Sequence, residues 1–222
     1  MIKRVFISRK PQDCEDIRAF LPSNIELIAE SLIETTAVAF DPNIPQTDWI
    51  FFSSSNAARH FFEQNPDLGN QKIGAIGEAT AKTISQYHSV AFTGDASDIT
   101  DSAYRFAEAI GEQSVLFPGA TDSLKHVQSA LPASQAIDLP VYTTREIEAV
   151  IPACDIYVFS SPSNVRSFLR NNIGVDTSSM QCIAFGEATQ HELTKFHATH
   201  IQVPASLDPH SIAKAIIQAL QG

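Results

Sequence analysis

The amino-acid sequence predicts an α/β protein built as two similar halves, each a doubly wound parallel sheet with helices on both faces. Three observations carry that prediction. Motifs recur at an offset of about 108 residues, short apolar runs alternate with helix-patterned ones, and several of those runs end in serine or glycine just before a helix begins.

The repeat is the strongest signal. Phe52-Ser53-Ser54-Ser55-Asn56, continuing through Arg59 to Phe61, matches Phe159-Ser160-Ser161-Pro162-Ser163, continuing through Arg166 to Phe168, at an offset of 107. Gly77-Glu78-Ala79-Thr80 returns as Gly186-Glu187-Ala188-Thr189 and Ala96-Ser97 as Ala205-Ser206, both at 109. Val5-Phe6-Ile7-Ser8 matches Val115-Leu116-Phe117-Pro118 at 110, and Thr35-Thr36 matches Thr143-Thr144 at 108. Matched segments in one order at a nearly constant offset imply a duplicated module.

Each element follows from its pattern. In the first copy Val5–Ser8 is a short apolar strand, and Asp13–Leu21 a helix that stops near Pro22. Ile25–Ala29 and Leu32–Val38 are extended, rich in branched residues. Trp49–Phe52 is wholly apolar, the mark of a strand buried on both faces, and a helix over Ala57–Phe62 follows. Ile73–Ile76 and Val90–Thr93 are strands, and Glu78–Tyr87 and Asp101–Ile110 are helices. The second copy gives strands at Val115–Phe117, Ala136–Thr144, Ile156–Phe159, Gln181–Phe185 and His200–Val203. Its helices fall at Asp122–Leu131, Ser163–Asn171, Glu187–Phe196 and Pro209–Leu220. Alternation of this kind implies a flavodoxin-like sheet in each half.

Bulk properties narrow the function. The net charge of −10 opposes binding to nucleic acid or to an anionic membrane surface. No apolar run approaches the ~18 residues of a membrane span, and the first residues lack the pattern of a signal peptide. The cysteines, Cys14, Cys154 and Cys182, are isolated and odd in number, which fits a reducing compartment; the expected location is cytoplasmic.

In open parallel sheets ligands bind beyond the carboxyl ends of the strands. Four such ends here carry hydroxyl groups or glycine and lead into helices: Ser53-Ser54-Ser55, Ser160-Ser161-Pro162-Ser163, Gly77 to Thr80, and Gly186 to Thr189. Free backbone N–H groups, the helix dipole and small hydroxyl side chains together suit an anionic ligand, without many lysines or arginines. Ordinary helix capping is the better reading of any one loop taken alone; it is the four together, doubled across two domains, that favour a site. No GxGxxG, GxxxxGK[ST] or GxSxG sequence is present, and Gly74-x-x-Gly77 is only a fragment of a phosphate loop. Ser54 and His60 make a poor nucleophile–base pair, and His191, His197 and His200 lack zinc spacing, so no metal site is expected.

The serine strand ends, the Gly-Glu-Ala-Thr turns, Leu116-Phe117-Pro118-Gly119 and Leu139-Pro140-Val141-Tyr142-Thr143-Thr144 appear in an order that resembles uroporphyrinogen-III synthases over essentially the whole chain. The resemblance implies two flavodoxin-like domains joined by a pair of antiparallel linker strands around a shared cleft. By analogy the domains are 1–34 plus 145–222 and 35–144, with crossings near 33–37 and 141–145. It further implies that the substrate is hydroxymethylbilane, a linear tetrapyrrole with eight carboxylates. That substrate loses its terminal hydroxyl as water, inverts its last ring through a spiro intermediate and closes to uroporphyrinogen III, with no cofactor or metal and with a monomeric enzyme.

Carried over residue by residue, Tyr142 matches the tyrosine of the family's Val-Tyr-x-Thr segment, which assists departure of the hydroxyl; a half-buried strand tyrosine is the plain alternative. Ser53, Ser54, Ser55, Thr80, Ser160, Ser161, Ser163 and Thr189 become substrate contacts. Arg9, after the first strand, resembles a basic residue common there and can pair with a carboxylate, or lie on the surface. Asn56 and Ser55 depart from the arginine and proline that relatives often show at those places. Two other readings stand beside the enzyme: a non-catalytic two-lobed binder of a small anionic ligand, and a regulatory module that kept the fold.

Overall fold

The computed structural model describes residues 2–221. The chain divides into two compact units, Met1–Glu34 with Glu146–Gly222, and Thr35–Arg145. The first unit holds strands β1 (Lys3–Ile7), β2 (Ile25–Ala29), β9 (Ile156–Phe159), β10 (Gln181–Ala184) and β11 (His200–Gln202). The second holds β4 (Trp49–Phe52), β5 (Lys72–Ala75), β6 (Phe92–Thr93) and β7 (Val115–Ala120). Strands β3 (Ile33–Ala37) and β8 (Ala136–Glu146) contain the two unit boundaries. The helices are α1 (Glu15–Ala19), α5 (Pro162–Asn171), α6 (Glu187–Lys195) and α7 (Pro209–Ala219) in the first unit, and α2 (Ser55–Phe62), α3 (Glu78–Ile84) and α4 (Ile99–Ile110) in the second.

The first sheet runs β11-β10-β9-β1-β2, parallel throughout. In the unit's own chain order that is 2-1-3-4-5, the flavodoxin order. The second runs β3-β8-β7-β4-β5-β6, with β4 through β8 parallel. Matched through the repeat, β4, β5, β6, β7 and β8 take the places of β9, β10, β11, β1 and β2, so the two sheets share one spatial order. Only the point at which the chain enters differs, and the second unit is a circular permutation of the first. This explains why Val5 finds its counterpart at Val115, on the far side of the serine motif. β3 lies antiparallel beside β8: Val38 N–H donates to Val141 O at 2.9 Å, and Ile147 N–H to Leu32 O at 2.9 Å.

Side-chain alternation makes two core layers per sheet. In the first unit Val5, Ile7, Ile156, Val158 and Ile183 face α1 and α7, while Phe6, Tyr157, Phe159 and Cys182 face α5 and α6. In the second, Ile50, Phe52 and Ile73 pack on α2 and α3, and Trp49, Phe51 and Phe117 on α4. Every residue of β4 and β9 is buried, as their unbroken apolar runs require.

One expected helix is absent. Over Asp122–Leu131 the chain forms only a 3-10 turn at Gln128–Ala130. Lys125 sits at φ +55°, which interrupts any helix, and the segment is instead anchored by Val127 and Leu131, buried against α4 and β7. The expected helix at Asp13–Leu21 opens as a 3-10 turn at Pro11–Cys14, and β6 is shorter than Val90–Thr93. No described helix is long and apolar enough to cross a membrane.

Candidate active site

In the second unit β4 ends at Phe52, and Ser54 takes an extended backbone, φ −160° and ψ 153°. Its Oγ accepts the Ala57 N–H at 3.1 Å and so caps α2. Ser53 is exposed, and Ser55 Oγ donates to Ala79 O at 3.2 Å, linking this turn to the next strand end. Tyr142 reaches the same place from β8. A bulge between Gly119 and Ala120 pairs Ala120 with Tyr142 and skips Val141. The phenol oxygen lies 3.4 Å from Ser54 Oγ, a long contact, and the residue is 8% exposed. Burial raises the phenol pKa above its ordinary value and nearby Asp122 adds to this, against a smaller opposing effect of the Ser54 hydroxyl. At neutral pH the group is therefore a proton donor.

The equivalent rim of the first unit is more heavily cross-linked. Ser160 N–H donates to Ser8 Oγ at 2.8 Å and Ser160 Oγ to Ser8 O at 2.7 Å, joining β9 to β1 at the switch point of the sheet. Ser161 caps α5 through the Asn164 N–H at 3.3 Å. The buried Asn164 accepts the Leu32 N–H at 2.9 Å and donates to Ser161 Oγ at 2.9 Å. Ser163 Oγ accepts from Arg166 Nη2 at 3.1 Å.

The Arg9 guanidinium lies 4.7 Å from the centre of the Phe185 ring, and burial lowers its pKa from the ordinary arginine value. A pocket of about 400 Å³ opens at the next residue, lined by Lys10, Ala29, Glu30, Ser31 and Ile33 among others. A second, of about 410 Å³, lies between the end of α4 and Pro132–Gln135, apart from the hydroxyl rim.

The expected residues thus divide by what their side chains do. Ser54 and Ser161 cap helices, Ser160 clasps Ser8, and Ser55 and Ser163 have local partners. Thr80 and Thr189, 4% and 2% exposed, lie inside the first turns of α3 and α6. Ser53 is the exposed one. Tyr142 and Ser54 are brought together, and so are Ser160 and Ser161 with Asn164. Ser8, Asn164 and Phe185 were not expected. Ser8 ends the first strand of the repeat, a signal that could have found it; Asn164 aligns with Ala57 and had none. His60, set aside as a partner for Ser54, stacks instead on Tyr142. Among the described residues no group of three or more metal-ligating side chains converges.

Two permuted copies of an open parallel α/β sheet, each with a hydroxyl-lined rim and one with Tyr142 at that rim, define a class of duplicated two-unit α/β proteins. The family model for uroporphyrinogen-III synthase HemD matches residues 23–214, and the chain belongs to that family. A curated relative, the porphyrin biosynthesis protein HemD of Ruminiclostridium josui, is 24% identical over 194 residues. The match covers 78% of this chain and 38% of the relative, so the chain spans well under half of that protein's length. Among solved structures, uroporphyrinogen-III synthetase of Helicobacter pylori aligns with 16% identity and a TM-score of 0.65, over 99% of this chain and 100% of that one. A mutant uroporphyrinogen III synthase of the extremely thermophilic bacterium Thermus thermophilus aligns with 13% identity and a TM-score of 0.61, over 99% of each chain. Both likenesses are to the fold.

Proposed function

We propose that this chain converts hydroxymethylbilane to uroporphyrinogen III, working as a monomer in the cytoplasm without cofactor or metal. The observation that carries the reading is the placement of Tyr142: a protonated, largely buried phenol, 3.4 Å from the capping Ser54, at the ligand-binding end of a parallel sheet. In the proposed first step the phenol donates toward the terminal hydroxyl of the substrate. The carbon–oxygen bond breaks, water leaves with that proton, and the adjoining pyrrole nitrogen supplies the electron pair. The last ring then attacks the resulting azafulvene carbon through its already substituted α-carbon to give a spiro intermediate. The bond from that carbon to the preceding methylene breaks, leaving a second azafulvene. The ring's free α-carbon attacks it, and loss of that carbon's proton restores the pyrrole, closes the macrocycle and balances the proton given by the phenol.

Binding must work on an acidic protein. The carboxylates are met by backbone N–H groups at the strand ends, by the exposed Ser53, and by Arg9, while Ser54, Ser55, Ser160, Ser161, Ser163, Thr80 and Thr189 shape the turns that present those amides. Hydroxymethylbilane is prone to close unaided without ring inversion, so the protein's task is mainly to hold the chain ends in the inverting geometry. A coupled assay tests the reading: enzymically generated hydroxymethylbilane with this protein should give the type III isomer. Only type I product would reject it.

A further inference from the structure

Helix α2 carries a ring that the serine turn does not need. His60 is half-buried, and its imidazole lies against the Tyr142 phenol, with centroids 5.4 Å and planes 23° apart. Its Nε2 is 2.9 Å from Thr35 Oγ1 on β3. Its Nδ1 is buried without a partner among the described residues. Burial depresses its pKa, an effect that Arg59 reinforces and Glu63 opposes, so the ring facing the phenol is neutral. The counterpart of His60 in the first unit, 107 residues on, is Ser167, whose hydroxyl donates to Ile147 O. Likewise Glu34 stands where Tyr142 does, at the 108-residue offset of the paired threonines. The imidazole and the tyrosine are therefore both particular to one copy.

Packing alone does not call for an imidazole here. A buried nitrogen without a partner costs about 1–3 kcal/mol, and phenylalanine would fill the same space without it. What the imidazole adds is a flat face against the phenol and an edge fixed to β3, so that the phenol has a wall on one side and cannot swing toward α2.

We propose that His60 is a positioning residue for Tyr142: its imidazole, tethered by Thr35, holds the phenol hydroxyl beside Ser54 and in line with the leaving oxygen. The proposal rests on the reading of Tyr142 as proton donor. It is tested with ring-¹³C-labelled tyrosine in wild type, His60→Ala, His60→Phe and Tyr142→Phe, alongside steady-state kinetics. The chain has four tyrosines, and the signal missing from Tyr142→Phe assigns Tyr142.

In His60→Ala the Tyr142 signal is expected to move and kcat to fall about tenfold, while KM changes less than about twofold, since orientation and not binding is lost. His60→Phe, which keeps a flat face but loses the tether to Thr35, should recover only part of that rate while melting no lower than wild type. In a Tyr142→Phe background His60→Ala should add little further loss. An unmoved Tyr142 signal, or an equal loss of rate in both backgrounds, overturns the proposal. If Tyr142→Phe itself turns over normally, the donor reading falls and takes the catalytic half of this proposal with it. The Tyr142 signal then still decides whether His60 holds the ring.

Discussion

Tyr142 is the residue on which most of the proposed chemistry turns, and its environment sets what can be expected of it. Removing the hydroxyl as Tyr142→Phe should leave the fold intact and lower the rate of type III formation at least tenfold, within the usual range for loss of a general acid. Near-normal turnover in that variant would remove Tyr142 from catalysis. Because burial raises its pKa, this group should contribute no titration to kcat below about pH 9. In the first unit the buried Asn164 has a structural part rather than a chemical one. Its side chain satisfies the Leu32 N–H and steadies the Ser161 turn, so Asn164→Ala leaves a buried donor without a partner. A loss of about 2 kcal/mol is expected in urea denaturation; an unchanged midpoint would mean that the bond contributes nothing. The tyrosine could be read from the sequence because its Val141-Tyr142-Thr143-Thr144 segment resembles the family's Val-Tyr-x-Thr. Asn164 and His60 could not, since each matters through a partner distant in sequence and neither recurs in the other copy.

Among the elements, the repeated Gly-Glu-Ala-Thr turn shows one residue kept for two reasons. Gly186 sits at φ +96°, where a side chain is strained. Gly77 is extended, but a Cβ there would fall 2.9 Å from Ala96 Cβ and 3.0 Å from Ala96 N, because the loops after β5 and β6 touch. Gly77→Ala should therefore cost about 1–3 kcal/mol as overpacking, measured by thermal melting; a melting temperature equal to wild type would show that the loops can part freely.

Helix α6 is tied to α5 by Glu192, which pairs with Arg166 at 3.3 Å and Lys195 at 3.2 Å. Burial alone would raise its pKa, yet the two cations outweigh burial and lower it. A depressed carboxylate stabilises above its unfolded value, near 4.3, and loses that contribution as pH falls through the folded value. The difference in stability between wild type and Glu192→Gln should be about 1 kcal/mol at pH 7, limited by solvent screening, and should shrink away as pH falls through the folded value. A difference independent of pH would assign the effect to packing.

The elements themselves were largely legible, because strands buried on both faces and capped helices leave strong local patterns. The helix expected over Asp122–Leu131 was not there, because two buried apolar anchors and a left-handed Lys125 outweigh local propensity.

For the molecule as a whole, the repeat spoke for a doubled sheet, and the strand orders add that one copy is a permutation of the other. Sequence spacing alone could not reveal this, since a constant offset is compatible with either arrangement. The whole-molecule charge carries its own expectation. A chain of net charge −10 should repel the proposed substrate with its eight carboxylates, and salt screens that repulsion within a Debye length of about 8 Å at 0.15 M. Raising NaCl from about 20 to about 200 mM should leave KM unchanged or lower it. A rise of tenfold would show instead that exposed lysines and arginines hold the substrate, and would set aside binding by amides and hydroxyls.

The most direct measurement is the isomer composition of the product as protein concentration rises in the presence of freshly generated hydroxymethylbilane. Capture and inversion by this chain should drive the type III fraction toward completeness with increasing protein, with Tyr142→Phe lagging well behind wild type at equal concentration. A product that stays type I at every protein concentration would contradict the account.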